Sequence, residues 1–194
     1  MSGPRIVLAS TSRYRAELLR RIIADFEQIP PDTDEQVLPD ESPRARAARL
    51  AAAKAQAVAT HAGNALVIGS DQVAALASEV LRKPSSIENV HQQLRASSGK
   101  IVDFFTGLCL IDTRNGQHRT AIDHTQVFFR ELSDAEITRY VALERPLDCA
   151  GSFKSEGAGI VLFERIKSAD PTALIGLPLI ALACMLREAG VALP

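Results

Sequence analysis

The chain has little cysteine, almost no net charge and no long apolar run. Its three cysteines, Cys109, Cys149 and Cys184, are odd in number and widely spaced. That excludes a disulfide framework and a CxxC or Cys/His metal pattern, and leaves reduced, mostly buried thiols as the expectation. The four histidines, at 61, 91, 118 and 124, also lack ligand spacing and read as surface residues. A formal net charge of −1 excludes a general polyanion-binding surface, so nucleic acid is not an expected partner. No apolar run approaches the length of a membrane span, and residues 1–7 hold no leader-like segment. The expectation is a soluble, cytoplasmic protein with no membrane partner.

What is present is ordinary in amount and informative in order. Hydrophobic residues make up 46% and charged residues 23% of 194 positions, enough for a full core without disulfide or metal support. There are no repeats and no low-complexity linker, so residues 1–194 read as a single domain. Residues 6–9 and 26–29 read as short strands, with helical spacing of Ala16, Leu18, Leu19, Ile22 and Ile23 between them. Ser42-Pro43 caps an alanine-rich helix that runs to about residue 61. Residues 65–70 read as a strand buried on both faces, and 73–76 as a further short strand. A helix over 87–96, strands over 101–111 and 125–130 around an Asn115-Gly116 turn, and a capping box at Ser133 and Glu136 follow. A strand over 159–164 and an amphipathic helix over 178–188 close the chain. Interleaved strands and helices imply one α/β domain with a mixed sheet.

Several segments carry chemistry. Asp71 ends the buried run 65–70 beside the Gln72 amide, at the sheet edge where open α/β folds bind ligands. Strands do not need an acid to end. Ser10-Thr11-Ser12-Arg13-Tyr14-Arg15 joins a strand to a helix start, and is either an anion site or a capped helix with a solvated basic face. Asp34-Glu35, near Asp32 in a proline-bounded loop, is either a solvated acidic loop or a ligand pair for a hard divalent ion. Lys83 lies in a turn before Pro84, either on the surface or facing the same cleft as Asp71. In the run 148–159, Lys154 and Glu156 stand among serines and glycines and read as functional, because packing does not need them. Gly176-Leu177-Pro178 reads as structural, launching the last helix.

Taken in order, these pieces resemble the Maf family of nucleoside triphosphate pyrophosphatases. The resemblance rests on Leu8-Ala9-Ser10-Thr11-Ser12 with Arg15, Asp34-Glu35, Lys54-Ala55, Ser70-Asp71-Gln72, Lys83-Pro84, Ser98-Gly99, Thr106-Gly107, Ala150-Gly151-Ser152-Phe153-Lys154 and Gly176-Leu177-Pro178. Each piece is weak alone; the ordered set is specific and spans nearly the whole chain. The resemblance implies an elongated mixed sheet flanked by helices, two lobes around a cleft (Maf/Ham-type, ITPase-like) and a homodimer. It also implies divalent-metal-dependent (Mg, Mn or Co) cleavage of a nucleotide between its α- and β-phosphates. Carried over residue by residue, Asp71 is the proton acceptor. Ser10, Arg15, Lys54 and Lys83 handle the phosphates, and Glu35 and Asp71 associate with the metal.

The chain departs from the commonest family pattern at informative places. It has Ser12-Arg13-Tyr14-Arg15 where Ser-Pro-Arg-Arg is usual, Gln72 where Thr is frequent and Glu156 where others carry Gln. Tyr14, Gln72 and Glu156 match the family's substrate-discriminating positions. An aromatic residue with Gln and Glu resembles the subfamily that hydrolyses 7-methyl-GTP, as house-cleaning of the nucleotide pool. N7-methylated guanine is positively charged, which suits an aromatic face and a carboxylate. The alternatives are a pyrophosphatase for dTTP and UTP, or a septum-formation inhibitor that acts by binding.

Overall fold

The apolar run that begins at Ala65 does not stop at Asp71. It continues as one strand of 12 residues, Ala65–Leu76, buried along nearly its whole length. The computed structural model describes residues 4–194; residues 1–3, part of the segment read for a leader, lie outside them. The described elements are β1 (Arg5–Ala9), α1 (Arg13–Leu19), β2 (Glu27–Ile29), α2 (Pro43–Ala59), β3 (Ala65–Leu76), β4 (Glu79–Leu81) and α3 (Ile87–Ser97). β5 (Ile101–Asp112), β6 (Gln117–Phe129), α4 (Asp134–Glu144), β7 (Phe163–Lys167) and α5 (Leu179–Glu188) complete them. The strand expected over 159–164 is instead a 3-10 turn at Ala158–Leu162, and β7 starts at Phe163. Gly159 packs its α-carbon against the Lys154 backbone there, leaving no room for a side chain.

Among the described residues, the strands form one mixed sheet of seven, in the order β2-β1-β3-β5-β6-β7 with β4 beside β3. This is the expected mixed sheet flanked by helices. Its central strand is divided along one edge. β5 lies antiparallel along β3 from Leu66 to Leu76. On the opposite edge, β1 runs parallel beside residues 65–69, and β4 returns antiparallel beside residues 74–76. Residues 70–73 have no strand partner on that side. The sheet therefore carries a notch at Ser70, Asp71, Gln72 and Val73, with the turn after β1 on one lip and the turn after β4 on the other. Asp71 is a mid-strand residue, and the reading of two strands with an acid between them is corrected.

Two apolar cores lie on either side of the notch. One joins α1 and α5 to Leu66, Ile68, Leu108 and Leu110. The other joins α3 and α4 to Ala74, Val102, Phe104, Val127 and Phe153. A third packs α2 on the other face, against Val67 and Cys109. Side chains alternate along a strand, so Leu66 and Ile68 face α1 and α5 while Ala65 and Val67 face α2. α2 comes very close to the sheet because glycine lies beneath it. A Cβ at Gly69 would collide with the Ala51 carbonyl, and one at Gly107 with the Ala47 carbonyl. Of the thiols expected to be mostly buried, Cys109 is buried, Cys149 half-buried and Cys184 exposed. No helix among the described residues is long and apolar enough to cross a membrane.

Candidate active site

The close seating of α2 delivers Lys54 to the notch. Asp71 lies on the α2 face of β3, two residues past Gly69, and its carboxylate meets the Lys54 ammonium at 2.5 Å. The same ammonium stands 2.7 Å from Glu35 Oε1. Lys54 and Asp71 are each 8% exposed, so the pair is largely withdrawn from water. Glu35 approaches from the loop between β2 and α2, and that loop is tied down by α2. Arg46 donates to the Glu35 carbonyl at 3.0 Å and Arg49 to the Gln36 carbonyl at 3.0 Å. These two arginines, one helical turn apart, place the loop. The Lys54 hydrogen bond, helped by the charges of Lys83 and Arg15, holds the Glu35 carboxyl below the usual carboxylate range.

Arg15 is held on the other lip. Its Nε donates to the Gly176 carbonyl at 2.8 Å, and a terminal nitrogen lies 3.4 Å from Ser10 Oγ. Ser70 Oγ donates to the same Gly176 carbonyl at 2.9 Å. Gly176 therefore belongs to the site as well as launching α5. Its φ of 121° is in the region that favours glycine. Burial pushes the Arg15 guanidinium's pKa down, with Asp71 and Glu35 opposing; an arginine so placed stays charged at neutral pH. The Ser10 oxygen accepts from Ser12 N–H at 3.1 Å, which leaves the Ser10 hydroxyl proton available to a ligand. Ser12 Oγ caps α1 by accepting from Arg15 N–H.

Gln72 points to the face opposite Asp71. Its Nε2 donates to the carbonyls of Ala173 and Leu174 at 2.9 and 3.0 Å, with Thr106 Oγ1 at 3.1 Å. Thr106 in turn donates to the Ala173 carbonyl at 2.9 Å. These carbonyls fix the amide's orientation, because an amide oxygen turned toward them would find no donor. Gln72 thus anchors the turn that presents Gly176, and it presents only its oxygen as a free acceptor.

Tyr14 and Arg13, at the start of α1, lie together. The Arg13 guanidinium sits 4.8 Å from the Tyr14 ring centroid and donates to the phenol oxygen at 2.8 Å. The Tyr14 hydroxyl donates to Asp148 at 3.3 Å. Burial raises the Cys149 thiol to about 12, and the charges of Asp148 and Glu156 add to the rise.

Ser10, Tyr14, Arg15, Glu35, Lys54, Asp71, Gln72, Lys83 and Glu156 all line one cleft of about 860 Å³. Lys154 does not. Its ammonium turns to the Glu144 carbonyl at 2.8 Å and to the Glu144 carboxylate at 3.4 Å, at the end of α4. Lys154, read as functional from its small neighbours, makes its polar contacts at the end of α4 and not in the cleft. Asp34 is absent from the lining and accepts from Gln36 N–H in its own turn. Sequence reading did not assign Arg13, Arg82, Asp148 or Gly176 to the cleft, yet all four line it. Arg13, Asp148 and Gly176 lie inside segments already singled out, and Arg82 stands next to Lys83.

Among the described residues, no group of three or more His, Cys, Asp and Glu gathers to hold a metal. Two carboxylates at a cleft floor do fit a magnesium-type ion, which takes one or two carboxylates and completes its shell with phosphate oxygens and water. Asp71 Oδ2 and Glu35 Oε2 have no hydrogen-bond partner among the described residues, since Lys54 engages the other oxygen of each.

The sequence profile of the Maf-like protein family matches residues 5–189, and the chain belongs to that family. A 7-methyl-GTP pyrophosphatase from Nitrosococcus oceani is 51% identical over 187 residues, covering 96% of this chain and 94% of its own. Among solved structures, a nucleoside-triphosphatase / dITP/XTP pyrophosphatase from Mycobacterium abscessus matches with a TM-score of 0.40 and 15% identity, over 66% of this chain and 75% of that one.

Proposed function

We propose that this chain hydrolyses 7-methyl-GTP to 7-methyl-GMP and pyrophosphate, removing a modified nucleotide from the pool. The observation that carries the reading is the Lys54 ammonium between Asp71 and Glu35 at the floor of a cleft whose lips bear Arg15 and Lys83. A triphosphate needs such an array, because it brings several negative charges that must be offset as the phosphoryl group transfers. The relative named as a 7-methyl-GTP pyrophosphatase supports the choice of substrate.

In this reading Asp71 accepts a proton from the attacking water. The 2.5 Å contact with Lys54 fixes the carboxylate's direction, so it meets the water without reorganising. Arg15, Lys54 and Lys83 bind the phosphates, and the Ser10 hydroxyl donates to a phosphate oxygen. Glu35 and Asp71 would hold a divalent ion together with phosphate oxygens, and such an ion supplies Lewis-acid polarisation of the phosphoryl group. At the base end, Tyr14 offers an aromatic face to a cationic purine. Glu156, and the Gln72 oxygen fixed by its amide's bonds to Ala173 and Leu174, accept from the guanine N1–H and exocyclic amine.

The test is a panel of 7-methyl-GTP, GTP, dTTP and UTP with Mg²⁺, Mn²⁺ or Co²⁺, with products separated. The expected result is the highest kcat/KM for 7-methyl-GTP, with pyrophosphate released. Equal or faster turnover of dTTP and UTP would overturn it.

A further inference from the structure

We propose that Asp148 is a specificity residue that recognises the positive charge of the methylated base, and that Arg13 is the resident cation the base displaces. The inference rests on the 7-methyl-GTP reading and goes beyond it, because neither residue belongs to the substrate-discriminating set.

Three observations carry it. The Arg13 guanidinium lies 4.8 Å from the Tyr14 ring centroid, the position a stacked cationic ring would take. The Asp148 carboxylate accepts from the Tyr14 hydroxyl at 3.3 Å and lies 3.9 Å from Arg13, so it marks the edge of that ring as a place for positive charge. Both charged groups are more than half exposed, at 67% and 54%. Their pairing is therefore weak, and the hydrogen bond that ties Arg13 to the Tyr14 oxygen is itself exposed, so a cationic ring can displace Arg13. Glu156 lines the same cleft and carries a second negative charge. Neutral guanine gains nothing from Asp148 by charge, and its N7 is a hydrogen-bond acceptor, which a carboxylate repels.

Arg13 and Asp148 should therefore act in opposite senses. The measurement is the ratio of kcat/KM for 7-methyl-GTP over GTP in wild type, D148N, D148E and R13A. D148N is expected to lower the ratio by about threefold to tenfold through KM, the scale of one partly exposed charge contact. D148E, which keeps the charge, restores most of it. R13A is expected to raise the ratio by about twofold to threefold, by removing a competing cation from the ring face. A structural role for Asp148 would move both substrates together. A high wild-type ratio that survives unchanged in D148N, or that falls in both D148N and R13A, overturns this inference alone. A wild-type ratio at or below one overturns the substrate reading, and the inference with it.

Discussion

The Lys54 ammonium lies 2.5 Å from Asp71 and 2.7 Å from Glu35, so one buried cation joins a strand, a helix and a loop at a single point. Removing it leaves two carboxylates facing a cleft built for anions. Lys54→Met is expected to cut kcat by about a hundredfold or more, the scale for losing a preorganised charge partner. Because Lys54 is the largest cause of the low Glu35 pKa, that pKa should rise toward its ordinary value of 4.5 in the variant. A carboxyl-resolved NMR titration checks this, and an unchanged Glu35 titration in Lys54→Met contradicts the assigned cause.

The seating of α2 makes a second prediction. Gly107→Ala drives a methyl group into the Ala47 carbonyl and lifts the helix that carries Lys54. The expected cost in stability is about 1–3 kcal/mol, as for other overpacked sites. Urea unfolding measures it, and kcat measured on protein that remains fully folded should also fall. Full activity in a destabilised Gly107→Ala protein would separate the helix position from the chemistry.

Stability toward acid follows from the capping box of α4. Glu136 titrates at about 2 against an ordinary 4.5, because the Ser133 N–H and hydroxyl donate to it, with Arg130 adding. A carboxylate with a depressed folded pKa stabilises the fold above its unfolded value, and that contribution disappears as pH falls through the folded value. The stability gap between wild type and Glu136→Gln should therefore be constant above pH 4.5 and shrink progressively down to pH 2. Urea midpoints at stepped pH check it; a gap that does not shrink contradicts the assignment.

The cysteines are predicted to differ in reactivity. Burial raises Cys109 to about 11 and Cys149 to about 12, while Cys184 is exposed on α5. At pH 8 an alkylating reagent should label Cys184 first, half-buried Cys149 more slowly, and buried Cys109 only on unfolding. Mass spectrometry of partially labelled protein reads the order. Early labelling of Cys149 would contradict the burial that raises its thiol.

Much of this site was legible in order along the chain: Ser10, Glu35 and Lys83 stand out in turns and loops and Asp71 as an acid in an apolar run, while Lys54, inside an alanine-rich helix, entered only through the resemblance. Their convergence was not legible. It depends on β1 and β4 sharing one edge of β3 and leaving residues 70–73 open between them, which is a pairing fact with no local signal. The polar pair Asp71-Gln72 interrupts hydrophobicity, and so it looked like a strand end. In the structure β5 pairs straight through it, because backbone hydrogen bonding is indifferent to side-chain polarity. Lys154 lies outside the cleft for a reason that is also long-range. Small flanking residues suggested a ligand, whereas they admit the end of α4, and Gly157 packs against Glu144. The roles of Gly69 and Gly107 are equally long-range, since each is explained only by a helix from elsewhere in the sequence.

The most direct test of the account is Asp71→Asn, measured for turnover of 7-methyl-GTP and for equilibrium binding of the same nucleotide. The asparagine keeps size and shape but cannot take a proton from water. The predicted result is a loss of kcat of about a thousandfold, within the range for a general base, with a folded protein that still binds nucleotide through Arg15, Lys54 and Lys83. Turnover by Asp71→Asn within a few-fold of wild type would remove Asp71 from its role and contradict the account at its centre.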